Sequence, residues 1–150
     1  MQDPRSERLA AVLTRHSTQL KRGENVLIDV FDAPDEIAIA LVRAARAAGA
    51  VPFVSVHRAA IGREVSLGAT EAQVAISRTL ELARIKKMHA YIAVRGSHNI
   101  TEMSDVPEEK MRLISGGMRA VMDWRINKTK WVVLRWPTPA MAQQAQMSTA

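Results

Sequence analysis

Residues 23–57, GENVLIDVFDAPDEIAIALVRAARAAGAVPFVSVH, change hydrophobic period twice. Val26 to Phe31 is a short apolar run of strand length behind a turn glycine, Gly23. Pro34, Asp35 and Glu36 then suit a first helical turn, where a missing N–H costs nothing and acids meet the positive end of the helix dipole. Ile37, Ala40, Leu41, Ala44 and Ala48 fall on one helical stripe, and Gly49 stands where a helix C-terminus favours glycine. VPFVSVH (51–57) is strand-like again. A strand, a helix and a strand at this spacing make a βαβ unit, whose two strands lie parallel because the helix carries the chain back across the sheet.

The same alternation runs outward in both directions. Residues 3–20 read as a helix: Asp3 caps it, Pro4 suits its first position, and Leu9, Val12, Leu13, His16 and Leu20 share a face. On that face His16 reads as a hydrogen-bonded core residue rather than a ligand. Downstream, RAAIGREVSLGA (58–69) reads as a polar loop. A helix follows over about 70–87, opening with Thr70 and Gln73 in capping-box spacing. HAYIAVR (89–95) is a strand, and the lysines beside His89 suggest an exposed edge there. A long loop, GSHNITEMSDVP, leads to a helix over 107–124 with Met111, Ile114, Met118 and Val121 on one side. Gly116 and Gly117 inside it cost about 1 kcal/mol each relative to alanine, which predicts a kink or a close backbone approach. KWVVLRW (130–136) is the last strand. The pattern predicts one three-layer α/β domain, a mainly parallel sheet of about four or five strands flanked by helices.

At 150 residues the chain is long enough to bury a real core. No stretch reaches the roughly 18 uninterrupted apolar residues of a membrane span, and MQDPRSERLA at the start lacks the apolar segment of a secretory signal. The absence of cysteine excludes disulfides, thiolate metal sites and cysteine nucleophiles. A cytoplasmic protein is the simplest expectation.

The net charge of +6 is unevenly placed. From Lys110 onward seven Lys or Arg accompany one acid, Asp123, whereas the first 109 residues carry fourteen of each sign. The basic end implies either a polyanion or an acidic counterpart on another surface. Lys128, Lys130, Trp131, Arg135 and Trp136 have the composition of a single-strand grip, and a small basic nucleic-acid-binding module is one alternative. Strand alternation argues against it: Trp131, Val133 and Arg135 point one way, Lys130, Val132, Leu134 and Trp136 the other.

Ligands of open α/β sheets bind beyond the carboxyl ends of the strands. Those ends carry Asp29 and Asp32, then His57, Arg58 and Arg63, then Arg95, Ser97, His98 and Asn99, then Trp136 and Thr138. His57, Arg95, His98, Asn99, Trp136 and Thr138 are the candidate cavity or interface residues, with His98 best placed for chemistry. Polar residues also collect at strand ends wherever chains turn into solvent. No complete catalytic set is legible. VFDAPDE, the first strand-to-helix turn, lacks the glycines that let a backbone wrap a pyrophosphate. There is no His-Glu-x-x-His, no Gly-x-Ser-x-Gly and no His/carboxylate set at metal-ligand spacing. A free-standing small-molecule-binding domain is a further alternative.

Four segments, LKRGENVLIDV, ALVRAARAAGAVPFVSV, SDVPEEK and NKTKWVVLRWPTPAMAQQAQMS, resemble in order the N-terminal region of the metallo-aminopeptidases of the aminopeptidase T and aminopeptidase S type. The last block is the most distinctive. The resemblance implies a two-domain, dimeric exopeptidase that removes N-terminal residues from peptides with two divalent metal ions of the Zn, Co or Mg class. It also implies that the metal ligands and catalytic residues belong to a C-terminal domain absent from this chain, so no catalytic or metal role passes to any residue here. The chain is then expected to be inactive alone, to pack on that catalytic domain, to help shape the substrate cavity and to support dimerisation. The short helical stretch after Pro139 and the unused capping residues Ser148 and Thr149 agree with an interrupted chain.

Overall fold

The computed structural model describes residues 3–149. Four strands, β1 (Asn25–Phe31), β2 (Val51–His57), β3 (Ala90–Arg95) and β4 (Lys130–Arg135), form one sheet in the order β2-β1-β3-β4. Every neighbouring pair is parallel. The α-helices are α1 (Pro4–Ala11), α2 (Asp35–Ala47), α3 (Ala59–Leu67), α4 (Glu71–Ile85), α5 (Glu108–Lys128) and α6 (Pro139–Gln144). This is the three-layer α/β arrangement that the alternating periods predict, at four strands. Among the described residues no helix is long and apolar enough to cross a membrane.

Strand alternation sorts the apolar side chains into two cores. Val26, Ile28 and Val30 of β1 and Ala90, Ile92 and Val94 of β3 pack with Ala10, Leu13, Ile37 and Leu41 on one face. Leu27, Tyr91 and Ala93 turn to the other face, against Ile85 of α4 and Val121 of α5. The central strands are covered twice, which is why they read as unbroken apolar runs. Each fully buried Leu or Ile in these layers contributes about 1.5–3 kcal/mol. The outer strands are covered less. The Val51 N–H donates to the Glu24 carbonyl (2.8 Å), so alternation turns Pro52 toward the open edge, where its missing donor is harmless.

Four details differ from the sequence reading, each for a physical reason. The first helix changes character: Val12–Ser17 is π-helical, and the wider turn shifts the phase of the stripe. Thr14 and Thr18 face the core in place of Val12 and His16, both of which are exposed. The two buried hydroxyls donate back to the carbonyls of Ala10 (2.9 Å) and Leu13 (2.8 Å). Residues 58–69 hold α3 rather than a loop. Its first N–H, on Ala59, is met by the Asp32 carboxylate (3.3 Å), a cap supplied from 27 residues away and hence invisible as a local signal.

The other two concern β3 and α5. His89 is exposed, but it stands at the entry of a central strand, not an edge, and its Nδ1 accepts the Asn25 N–H (2.9 Å). Finally, α5 passes through its two glycines and continues to Lys128. A Cβ on Gly117 would lie 2.1 Å from Val74 Cγ1, so the close approach is between α4 and α5; a Cβ on Gly116 would meet nothing within 4 Å.

Candidate functional site

Parallel register arranges the α4/α5 face of the sheet in rows. Leu27 lies beside Phe53 and Tyr91, Asp29 beside Ser55 and Ala93, and Phe31 beside His57 and Arg95. Arg135 continues the last row beyond Arg95. Apolar alternation thus carries a carboxylate, Asp29, into the middle of a covered face, where it is only 5% exposed. Buried charge is tolerated only when paired. Tyr91 Oη donates to Asp29 Oδ2 (2.8 Å), and His57 Nε2 lies 3.3 Å from Oδ1. An ionised carboxylate only accepts, so His57 presents its Nε2–H to Asp29. Burial pushes the Asp29 carboxyl up; the hydrogen bonds from His57 and Tyr91, with the positive charges of His57 and Arg84, outweigh it and hold the group below the usual range. Tyr91 moves the other way, driven up by burial and by the Asp29 charge.

Aromatic and cationic groups close this cluster above and below. The Phe31 and His57 rings stack at 4.3 Å and 11°. The Arg95 guanidinium sits 5.6 Å from the Phe31 ring centre, and that of Arg125, in the last turn of α5, 3.9 Å from the Tyr91 ring centre. Arg84 donates to Ser55 Oγ (2.6 Å) and to Glu81 Oε2 (2.6 Å), tying α4 to the open-edge strand. Of these residues, Tyr91, Arg84 and Arg125 escaped sequence reasoning. One signal was available: Asp29 is the sole charge inside VLIDVF and must find partners on neighbouring elements.

At the carboxyl ends the backbone is stitched together. The Gly96 N–H donates to the Phe31 carbonyl (2.7 Å), that of Asp32 to His57 (3.1 Å) and that of Trp136 to Arg95 (2.8 Å). Asp32 takes a left-handed φ of 46°, and a Cβ on Gly96 would stand 2.4 Å from its carbonyl oxygen. Between β1 and β3 the chain reverses its direction of travel across the sheet, the usual crevice for a ligand in such folds. Here the two strand exits pack directly on each other. Buried Thr138 donates to the Ser97 carbonyl (2.5 Å) and accepts the Met141 N–H (3.3 Å), capping α6.

The six candidate residues therefore divide. His57 and Arg95 flank Phe31 in one row, and Trp136 and Thr138 bind the exits of β3 and β4 to each other. Asn99 shapes its own turn, accepting from the backbone N–H and hydroxyl of Thr101 (3.1 and 2.9 Å). His98 is exposed in the same loop, apart from the row. The basic last quarter is also partly accounted for within the chain. Lys130 pairs with Glu24 (2.7 Å), Arg112 with Glu108 (2.8 Å), Lys110 donates to the Ala69 carbonyl (2.7 Å), and Arg125 covers Tyr91.

Among the described residues no three His, Asp or Glu side chains come together as a metal would require. His57 and Asp29 are only a pair, and the second Asp29 oxygen is taken by Tyr91. These residues do not fit a metal ion, and no chemical step can be routed through one here.

Comparison with known proteins places this architecture. A solved structure titled wild-type AmpT from Thermus thermophilus superposes with a TM-score of 0.71 at 20% identity, over 91% of this chain and 37% of that one. The chain thus spans little more than a third of that protein. The CurK enoyl reductase (TM-score 0.44, 17% identity, 94% of this chain and 44% of that one) overlaps more loosely. So does an alcohol dehydrogenase superfamily protein from Novosphingobium aromaticivorans (0.43, 15%, 93% and 38%). No curated protein sequence matches. The sequence model of the thermophilic metalloprotease family matches residues 2–150, and the chain belongs to that family.

Proposed function

We propose that this chain is the N-terminal α/β domain of a metal-dependent aminopeptidase that removes N-terminal residues from peptides. The observation that carries this reading is the family match along residues 2–150, joined to a fold likeness that covers nearly all of this chain but only 37% of AmpT. In this reading the chemistry belongs to a separate catalytic domain that holds the divalent metal ions. The present domain packs on it, lends its strand-end rim to the substrate cavity and supports a homodimer. Its own residues do two things: the Asp29–Tyr91–His57 network fixes the rim from beneath, and the stitched exits of β1, β3 and β4 make that rim stiff. By itself the domain hydrolyses nothing.

The test is an aminopeptidase assay of the purified 150-residue chain on aminoacyl anilides with added Zn²⁺ or Co²⁺. Release at the buffer rate is expected. Turnover that scales with protein concentration and survives repurification would overturn the inactive-domain reading. Sequencing the gene beyond the codon for Ala150 gives a second check: a continuing frame with clustered His, Glu and Asp is expected.

A further inference from the structure

The two edges of the sheet are guarded differently. β4 starts on Lys130 and ends on Arg135, cations of the kind that keep strand edges from joining. β2, VPFVSVH, carries no Lys, Arg, Asp or Glu, and its register with β1 runs from Val51 to His57 without a bulge. Since the Val51 N–H points to β1, alternation aims the N–H and carbonyl of Val54 and of Val56 at the open edge. Among the described residues no strand lies on that side. Side chains are bare on both faces as well: Phe53 is 42% exposed, Val54 43% and Val56 52%. A long, flat, uncharged apolar edge is a template for another strand.

We infer that this edge is filled by β2 of a second copy, antiparallel about a two-fold axis at Ser55, which joins two four-stranded sheets into one. The strand is self-complementary about that residue. Val54 falls opposite Val56 of the second copy, and each such pair exchanges both of its backbone hydrogen bonds. Pro52, which has no N–H to give on this side, falls opposite Arg58, beyond the end of the strand. With the axis at Val54 instead, Pro52 would face Val56 and leave its carbonyl without a donor. The faces match too. Valines meet valines on the α2 side, and on the α4 side Phe53 lands beside His57 of the second copy, extending the Phe31–His57 stack. No like charges are opposed along the strand, and Arg84, which reaches Ser55, has its own counter-ion in Glu81. A second copy holds all these matches by symmetry, as an isologous contact requires. The inference gives the homodimer of the proposed function its surface, but rests on the strand edge alone.

Analytical ultracentrifugation of the 150-residue chain tests the pairing. A strand-edge contact is small among protein interfaces, so a reversible dimer with a Kd of about 10 µM is expected. Val56→Lys brings two cations to the axis, and Val54→Pro removes an open-edge N–H without touching a bond to β1. Each should weaken the dimer about tenfold or more, whereas Val133→Lys, the same change on β4, should not. Melting temperatures of the variants, taken on dilute monomer, should stay near wild type, which separates lost pairing from lost folding. Since the chain has no cysteine, Ser55→Cys reads the register independently: the two sulfurs would meet across a non-hydrogen-bonded pair with Cα atoms about 4.5 Å apart, within disulfide reach. Mild oxidation should link Ser55→Cys into a covalent dimer and leave Val133→Cys unlinked. Wild type that stays monomeric at about 1 mM would overturn the second copy as occupant. Linkage of Val133→Cys but not of Ser55→Cys would overturn the register. A dimer that resists both Val56→Lys and Val54→Pro would overturn this surface while leaving the homodimer itself standing.

Discussion

Replacing Tyr91 by phenylalanine removes one oxygen from the interior and leaves the ring in place. Tyr91 is fully buried, and its hydroxyl supplies the shorter of the two hydrogen bonds that hold the Asp29 carboxylate (2.8 Å against 3.3 Å from His57). The apolar contacts of the ring with Leu27, Val121 and Ile85 persist in Tyr91→Phe. The change therefore isolates one charge-assisted hydrogen bond, worth about 1.5–3 kcal/mol. For a chain of this length each kcal/mol lowers the melting temperature by roughly 2–4 °C. Urea unfolding at pH 7 should show that loss with an unchanged slope.

The pH dependence gives a second reading of the same bond. Asp29 is held below its ordinary value in the folded chain, so its contribution is complete above the unfolded carboxylate value near 3.9 and is lost as pH falls through the folded value. The wild-type advantage over Tyr91→Phe should accordingly be full at pH 7 and shrink as pH is lowered from 5 toward 2. A difference under 0.5 kcal/mol at pH 7, or one that does not change over that range, would refute the assignment of Tyr91 as the main support of the buried charge.

The glycines give two further tests. Gly116→Ala meets open space and improves helix propensity, so it should stabilise by up to about 1 kcal/mol, whereas Gly117→Ala drives a methyl into Val74 and should destabilise despite the same propensity gain. Opposite shifts of the urea midpoint are the expected result, and shifts of the same sign would contradict the α4–α5 packing. Gly96→Ala places a Cβ 2.4 Å from the Asp32 carbonyl oxygen, a backbone atom that cannot rotate away, and should cost about 1–3 kcal/mol by thermal unfolding. Wild-type stability would mean that the exits of β1 and β3 are not packed as described.

Much of this protein is legible in one dimension. The strand-helix-strand period of residues 23–57, the proline and acids at the start of α2, Gly49 at its end (φ 77°) and the Thr70 cap of α4, which accepts the Gln73 N–H (3.2 Å), are local signals that local geometry obeys. Even the alternation of KWVVLRW sorts correctly: Val132, Leu134 and Trp136 pack on the core and Trp131 is nearly half exposed. What the sequence alone could not yield depends on contacts between distant residues. The helix over 59–67 needs Asp32, and the phase slip after Ala11 needs a core that accepts two threonine hydroxyls. Tyr91, Arg84 and Arg125 gain their roles only once a central carboxylate is covered by α4 and α5. The sheet order that leaves β2 at an open edge is likewise fixed only by packing. Period and capping are properties of a few adjacent residues, and so they survive in sequence; pairing of charges across a sheet is decided by which strands become neighbours, which only the packed chain determines.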